Sequence, residues 1–359
     1  MSIESVVAAT TGSTGSTANG SGGRPVGRHA ARPGGDAVAD PVAHPVADPE
    51  SVAEILAAIA ANIAKVLHGK DEAIDLTLLC LAAEGHLLVE DVPGVGKTLL
   101  AKALARSIAG DTSRVQFTPD LLPSDLTGVT VVDQSSGRFA FRPGPLFANV
   151  VLCDELNRAS PKVQAALLEA MEERQVTVDG TTHPLPHPFM VVATQNPFEQ
   201  EGTYALPESQ LDRFLVRTAL GYPDRAAEIA VLDSHARSDA LSKITAVASL
   251  ADISAVTGAV ARIHVAPVLQ GYVVDVMRVT RSHPELRLGA SPRAGLGWLR
   301  LARARAASTG RDYVTPDDLH FVAPAVLSHR LLGHRGSKPA AEVLADVLAS
   351  VAVPGSRRG

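Results

Sequence analysis

The sequence predicts an α/β fold, a central and mostly parallel sheet interrupted by two β-hairpin insertions, followed by a smaller all-α domain. Three observations carry that prediction. A strand, a glycine-rich loop and a helix succeed one another in "HLLVEDVPGVGKTLLAKALARSIAG", residues 86–110. Two short apolar runs, "NVVLCDE" and "FMVVATQN", end on polar residues, as interior strands of a parallel sheet do at their ligand edge. After "GYPDR", near residue 222, strand-like segments stop and helical periodicities take over.

Residues 1–47 are rich in Ser, Thr, Gly, Ala and Pro and lack a periodic apolar face, so a disordered tail is expected there. The α/β part is expected over 48–222, the all-α part over 223–350, and a flexible tail over 351–359. The first helix is read from "SVAEILAAIAANIAKVL", with a Ser51/Glu54 capping box and Ile55, Ile59, Ile63 and Val66 on one face. A second helix, "DEAIDLTLLCLAAEG", stops at Gly85. "SPKVQAALLEAMEERQ" is a helix capped by Ser160, with Pro161 in its first turn and Val163, Leu167, Ala170 and Met171 on its buried side. "GVTVVDQSSGRFAFRPG" and "QVTVDGTTHPL" are the two hairpins, the second turning at Asp-Gly. Beyond residue 222 five helices are expected, in "AAEIAVLDSH", "ISAVTGAVARIHV", "LQGYVVDVMRVTRSH", "SPRAGLGWLRLARARAAST" and "TPDDLHFVAPAVLSHRLL". The last two start with a cap and proline at Ser291-Pro292 and Thr315-Pro316.

Composition narrows the function classes. Among 359 residues, 46% are hydrophobic, 20% charged and only 4% aromatic, which suits globular domains with an aliphatic core. A net charge of −5 without a long Lys/Arg run argues against a nucleic-acid surface. No apolar stretch approaches the roughly 18 residues of a membrane span, and the start lacks the basic-then-apolar order of a signal peptide, so a cytoplasmic location is expected. Cys80 and Cys153 sit in separate apolar runs and read as buried thiols in a reducing compartment.

Chemistry concentrates in three places. In "PGVGKTL" the residues Pro93, Gly94, Val95, Gly96, Lys97, Thr98 and Leu99 form a phosphate-binding loop. Its backbone N–H groups can turn toward phosphate, Lys97 can reach the β and γ phosphates, and the Thr98 hydroxyl can ligate Mg2+. ATP and Mg2+ are the expected cofactors. One departure is Asp91, a carboxylate where the general pattern has its first glycine. Its expected resolution is a side chain pointing away from the phosphates. Asp154 and Glu155 close an apolar strand, a position that packing does not explain. Asp154 suits holding Mg2+ through water, and Glu155 suits polarising the attacking water. Asn196 ends the next strand and could orient that water and the γ-phosphate, although Asn before Pro is also an ordinary turn. Arg213 lies in a segment suited to face a neighbouring subunit. Arg293 occupies the first turn of a helix, where a cation opposes the dipole and needs an anion, which a nucleotide phosphate would supply. His183 and His187 read as loop residues rather than metal ligands, and Lys65, Lys70 and the basic run "RLARARAAST" as solvated helix faces.

With these residues in view, residues 50–340 resemble the MoxR family of AAA+ ATPases, through "EDVPGVGKT", "RVQFTPDLLPSDLTG", "PGPLFANVVLCDELNRA", "QNPFEQEGTYALPESQLDRF" and "GASPRA". The resemblance implies an AAA+ domain with an all-α lid. It makes Lys97 and Thr98 the Walker A residues, Asp154 and Glu155 Walker B, Asn196 sensor 1, Arg213 the arginine finger and Arg293 sensor 2. It further implies a homo-oligomeric ring, usually a hexamer, with ATP at each interface and Arg213 completing the neighbour's site. Chaperone-like remodelling of client proteins is implied too, with von Willebrand factor A domain partners and, in some members, metal or cofactor insertion.

Three function classes compete. A remodelling ATPase leads. A DNA-directed motor or transcriptional regulator is opposed by the acidic balance and by the absence of a helix-turn-helix, a zinc module or a GAFTGA loop. A nucleotide-gated scaffold with little hydrolysis is opposed by the complete set of Glu155, Asn196, Arg213 and Arg293.

Overall fold

A computed structural model of the chain describes residues 47–354, apart from 93, 133, 136, 196–203, 205, 224, 226–227 and 230–239. Helices α1 (Pro49–Ala64) and α2 (Asp71–Ala82) lead into strand β1 (Leu87–Glu90) and helix α3 (Lys97–Ser107). Next come β2 (Thr112–Gln116), the short α4 (Pro123–Thr127), β3 (Gly128–Val132), β4 (Phe139–Pro143) and β5 (Val150–Asp154). Helix α5 (Pro161–Glu173) precedes β6 (Gln175–Val178), β7 (Thr181–Pro184), β8 (Met190–Gln195), α6 (Glu208–Leu211) and β9 (Val216–Thr218). The helical part comprises α7 (Leu250–Arg262), α8 (Pro267–Ser282), α9 (Pro292–Ser308), α10 (Pro316–Leu327) and α11 (Ala340–Ser350), with β10 (Leu286–Leu288) and β11 (Leu332–Gly333) between them.

The central sheet has five strands in the order β2-β5-β8-β1-β9, and every pairing in it is parallel. Its apolar runs are buried on both faces, with the period of two that strand geometry imposes. Leu87, Val89, Val150, Leu152, Met190, Val192 and Val216 join the core shared with α1–α3 and the helical part. Leu88, Val151, Cys153, Val191 and Ala193 join the opposite core, against Val163, Leu167 and Met171 of α5. Both cysteines are buried and unpaired, and burial pushes both thiols well above their usual pKa.

Both hairpins form antiparallel pairs, β3 with β4 and β6 with β7. The β6–β7 turn has positive φ at Asp179 (50°) and Gly180 (78°), the two-residue turn that Asp-Gly favours. At the root of β3, Gly128 has φ +95°, and a Cβ there would lie 2.3 Å from the Arg142 carbonyl oxygen, so only glycine fits.

The caps differ in places from the expectation. Helix α1 starts earlier: Asp48 is the N-cap, its Oδ1 accepts from the Ser51 amide at 2.8 Å, and Pro49 opens the first turn. A Ser51/Glu54 box does not form because Ser51 is already helical. Ser160 stands at the N-cap of α5 without a side-chain cap hydrogen bond. Ser291 and Thr315 do cap α9 and α10, through the Ala294 and Asp318 amides. Of the five expected helices, the segment 226–235 lies largely outside the described residues. The helical part is also not purely α, because β10 and β11 pair antiparallel, and α11 continues the chain where no separate helix was expected. Trp298 anchors this part, wholly buried, its indole N–H donating to the Leu319 carbonyl at 2.7 Å. No helix among the described residues is long and apolar enough to cross a membrane.

His86, at the start of β1, is buried between sheet and α5. Its Nδ1 accepts from the Val191 amide at 3.0 Å, so Nε2 carries the proton and donates to the Met171 carbonyl at 3.0 Å. Burial pulls its pKa down to about 4. As pH falls from about 6.5 toward 4, the unfolded chain takes up a proton that the folded chain refuses, and stability drops by on the order of 3 kcal/mol. His329, also held neutral by burial, adds a fall of the same sign. Urea midpoints measured at pH 7.5 and pH 5 should therefore drop in the wild type and drop less in His86→Gln. Equal falls in the two proteins would contradict this.

Candidate functional site

The phosphate loop leaves β1 at Asp91 and enters α3 at Lys97. Gly94 and Gly96 have φ of +86° and +104°, a conformation that turns successive amides to one side. A Cβ at Gly94 would meet nothing within 4 Å, whereas one at Gly96 would come within 2.9 Å of Leu67. Gly96 is the N-cap of α3, so the helix N-terminus opens toward the loop. Val95 is buried, Thr98 is half-buried, and Leu99 packs on the core. Pro93 lies outside the described residues.

Asp91 resolves the departure in the loop. Its carboxylate is buried and turned away from the glycines. Oδ1 accepts from its neighbour's amide, Val92, at 2.8 Å, and Oδ2 accepts from the amides of Leu220 and Gly221, each at 2.6 Å. Its carbonyl oxygen accepts from the Lys97 ammonium at 2.9 Å. Lys70 grips the same segment from the other side, donating to the carbonyls of Gly221 and Tyr222 at 2.9 and 2.8 Å. Lys70 is thus a buried clamp and not a solvated helix residue, since the chain after β9 passes directly over it.

The acid pair ends β5, two strands away from β1 in the sheet order. Asp154 is buried. Its Oδ2 pairs with Arg114 Nε at 2.8 Å, and its Oδ1 accepts from Thr194 Oγ1 at 3.2 Å. Thr194 Oγ1 also accepts from the Glu155 amide at 3.0 Å. Glu155 is left-handed (φ 59°, ψ 48°), an uncommon conformation for a non-glycine, and its carboxylate pairs with Arg158 at 3.3 Å. Burial pulls the Lys97 pKa below its usual value, while the Asp91, Asp154 and Glu155 carboxylates act against that fall. Asn196 follows Gln195 at the end of β8 and lies outside the described residues.

The two arginines stand elsewhere. Parallel pairing sets Leu87 beside Val216, so Arg213 precedes the start of β9 while the phosphate loop follows the end of β1. The strand alone separates those levels by about 10 Å, at roughly 3.3 Å per residue. Arg213 donates to the Leu168 carbonyl at 2.7 Å and pairs with Glu172 at 3.2 Å. Arg293 pairs with the other oxygen of Glu172 at 3.0 Å. In this structure a carboxylate of the same chain, Glu172, lies against Arg293 at its helix start. Both arginines line a cavity of about 660 Å³ with Arg174, Arg300, Arg303 and Arg330, against Glu84, Glu172 and Asp212. Arg330 is buried and fixed by Asp212 at 2.7 Å.

Other assignments change as well. Arg300, in the basic run, donates to the carbonyls of Ala83 and Glu84, and Arg305 lies over the Phe321 ring at 4.1 Å, so that run is not simply solvated. Lys65 is exposed and bonds Asn62 at 2.9 Å. His183 belongs to β7 and stacks on Phe141 at 3.8 Å, while His187 bonds Glu84 at 3.0 Å and Ser254 at 3.2 Å. Sequence reasoning passed over Arg114, Thr194 and Glu172. Each is a polar residue whose partner is remote in sequence, and only the strand register and the end of α5 bring it to the site.

The chain matches the model of the ATPase family associated with various cellular activities (AAA) over residues 86–216 and that of the AAA lid domain over residues 278–348. The uncharacterized protein YeaC of Bacillus subtilis is 45% identical over 300 residues, spanning 82% of this chain and 94% of that protein. Chaperone MoxR1 of Mycobacterium tuberculosis is 42% identical over 279 residues, 75% of this chain and 74% of its own. A crystal structure of a candidate ATPase from Cytophaga hutchinsonii matches with a TM-score of 0.80 at 36% identity, over 85% of this chain and 96% of that one. Parallel sheet, phosphate loop, strand-end acid pair and helical lid define an AAA+ P-loop ATPase, an enzyme that binds and hydrolyses ATP. Within that class the chain belongs to the MoxR family.

Asp91→Ala should strand the Val92, Leu220 and Gly221 amides and free the loop from the segment after β9. The expected loss is on the order of 2–3 kcal/mol in chemical denaturation, with a smaller loss for Asp91→Asn, which keeps one acceptor oxygen. A loss below about 0.5 kcal/mol for the alanine variant would show that the tie is dispensable.

Proposed function

We propose that the chain acts as a homo-oligomeric ring, a hexamer, whose subunits hydrolyse ATP at their interfaces to drive chaperone-like remodelling of client proteins. Client maturation or the insertion of a metal or cofactor belongs to this reading, as does a partner carrying a von Willebrand factor A domain. One observation carries it. The phosphate loop and acid pair stand at the carboxyl edge of the sheet, and Arg213 and Arg293 stand at the opposite edge. Cations so far from their own loop suit a neighbour's triphosphate, as an arginine finger acting in trans requires. The name of the Mycobacterium tuberculosis relative, chaperone MoxR1, supports the remodelling part.

In this reading residues 93–99 would hold the phosphates, Lys97 would neutralise the β and γ groups, and Thr98 and Asp154 would hold Mg2+. The observations fit that group: a glycine pair open on one side, a buried carboxylate already facing a cation in Arg114, and a Lys97 ammonium anchored on a backbone carbonyl. Bound Mg2+ would neutralise charge on the transferred phosphoryl. Glu155 takes the proton of the attacking water, its backbone held by Thr194, and Asn196 orients that water. The helices of 223–350 form the lid, which contributes Arg293 to the interface.

The binding and hydrolysis roles separate by mutation. Lys97→Ala should lose ATP binding, whereas Glu155→Gln should bind ATP with near wild-type affinity and hydrolyse it at least about a hundredfold more slowly. Binding by a fluorescent nucleotide and phosphate release check the two. Glu155→Gln loaded with ATP should also hold client protein through gel filtration, and retention of DNA in place of protein would overturn the chaperone reading.

A further inference from the structure

Glu172 is the only carboxylate among the described residues that pairs with both Arg213 and Arg293. One oxygen serves each guanidinium, Oε2 to Arg213 at 3.2 Å and Oε1 to Arg293 at 3.0 Å. The same Arg213 nitrogen that meets Glu172 also donates to the Leu168 carbonyl, one turn earlier in α5, so the end of α5 fixes that guanidinium at two points. Three separate pieces of chain converge here: the end of α5, the turn before β9 and the first turn of α9. We infer that Glu172 is the positioning residue that holds Arg213 and Arg293 as a pair for the nucleotide of the neighbouring subunit. This rests on the trans reading of the arginines given above.

Physical grounds favour positioning over stability. The three side chains remain about a third to a half exposed, at 35% for Glu172, 30% for Arg213 and 47% for Arg293. Ion pairs so exposed contribute little to folding. Two guanidiniums in one place repel, and Arg293 additionally faces the positive end of its own helix. A shared carboxylate offsets both terms and restricts two long, flexible side chains to one geometry. Preorganised cations stabilise transferred phosphoryl charge far better than mobile ones. Arg174, Arg300, Arg303 and Arg330 in the same cavity keep the surroundings cationic even with Glu172 in place, so a triphosphate is still attracted to it.

The test uses full-length protein assembled with ATP. Glu172→Gln keeps shape and removes charge. It should leave ATP affinity within about twofold and lower kcat by roughly tenfold to a hundredfold, the scale for a misplaced catalytic group. Glu172→Asp should recover part of that loss. Rings mixed from Glu172→Gln and Lys97→Ala subunits should regain activity, because the Lys97→Ala subunit presents an intact arginine pair to its neighbour's functional loop. Arg213→Ala mixed with Lys97→Ala is the control. If the control does not recover, the trans reading fails irrespective of Glu172. If the control recovers and the Glu172→Gln mixture does not, Glu172 serves only its own subunit and the inference is overturned. Wild-type or faster turnover by Glu172→Gln alone overturns it too, since Glu172 would then mask the arginines. Should Glu172→Gln fail to assemble, Glu172→Asp takes its place in the mixture with the same criterion.

Discussion

A buried carboxylate at the exit of β1 organises this site. Asp91 accepts three backbone amides, two of them from the segment that follows β9. Neighbouring strands thereby share one anchor just where the phosphate loop begins. Carboxylates accepting several amides form strong, directional bonds, and the amides would be costly to leave unmade. Lys70 completes the anchor by donating to carbonyls of that same segment. With the chain so pinned, Gly94 and Gly96 adopt their left-handed conformations on a fixed base, and Lys97 returns to the Asp91 carbonyl. The residue that breaks the general phosphate-loop pattern is thus the one that secures the loop.

Parallel strand polarity then divides the chemistry between two edges. Every strand of the sheet runs the same way, so all strand ends that bear loop and acids lie on one side. The segment entering β9 and the last turn of α5 necessarily lie on the other. Arg213 and Glu172 are carried there by topology alone, and the first turn of α9 brings Arg293 to them. The chain thus carries its phosphate loop and acid pair at one end of the sheet and the Arg213–Glu172–Arg293 cluster at the other, the separation on which the proposed completion of one subunit by another rests.

Much of this was legible in the sequence. Fully apolar runs mark the interior strands, Asp-Gly marks a hairpin turn, and the loop motif falls between a strand and a helix as expected. What escaped had separate physical causes. The capping of α1 by Asp48 depends on a proline choosing the first helical position, which competes with an equally good Ser51 pattern. The strand pair β10–β11 is two to three residues long, too short for periodicity to register. Lys70, Arg114 and Glu172 carry ordinary surface letters, and their partners lie tens of residues away in sequence. Local patterns encode elements; pairings between elements arise only from packing. Asn196, read as a strand-end polar residue, lies outside the described residues, so its role rests on the motif.

The same pairings bear on how a polyanion enters. The charges at the phosphate loop and the acid pair have partners within the chain: Lys97 on the Asp91 carbonyl, Asp154 on Arg114 and Glu155 on Arg158. A triphosphate and its metal would enter by exchanging partners, not by forcing unpaired charges into a dry pocket. Exchange of that kind is inexpensive because most of these pairs are partly exposed and individually weak. Asp154 is the exception. It is buried, and its second oxygen is held by Thr194, the residue that also holds the Glu155 amide. The hydroxyl of Thr194 thus links the carboxylate suited to the metal with the backbone of the residue suited to the water.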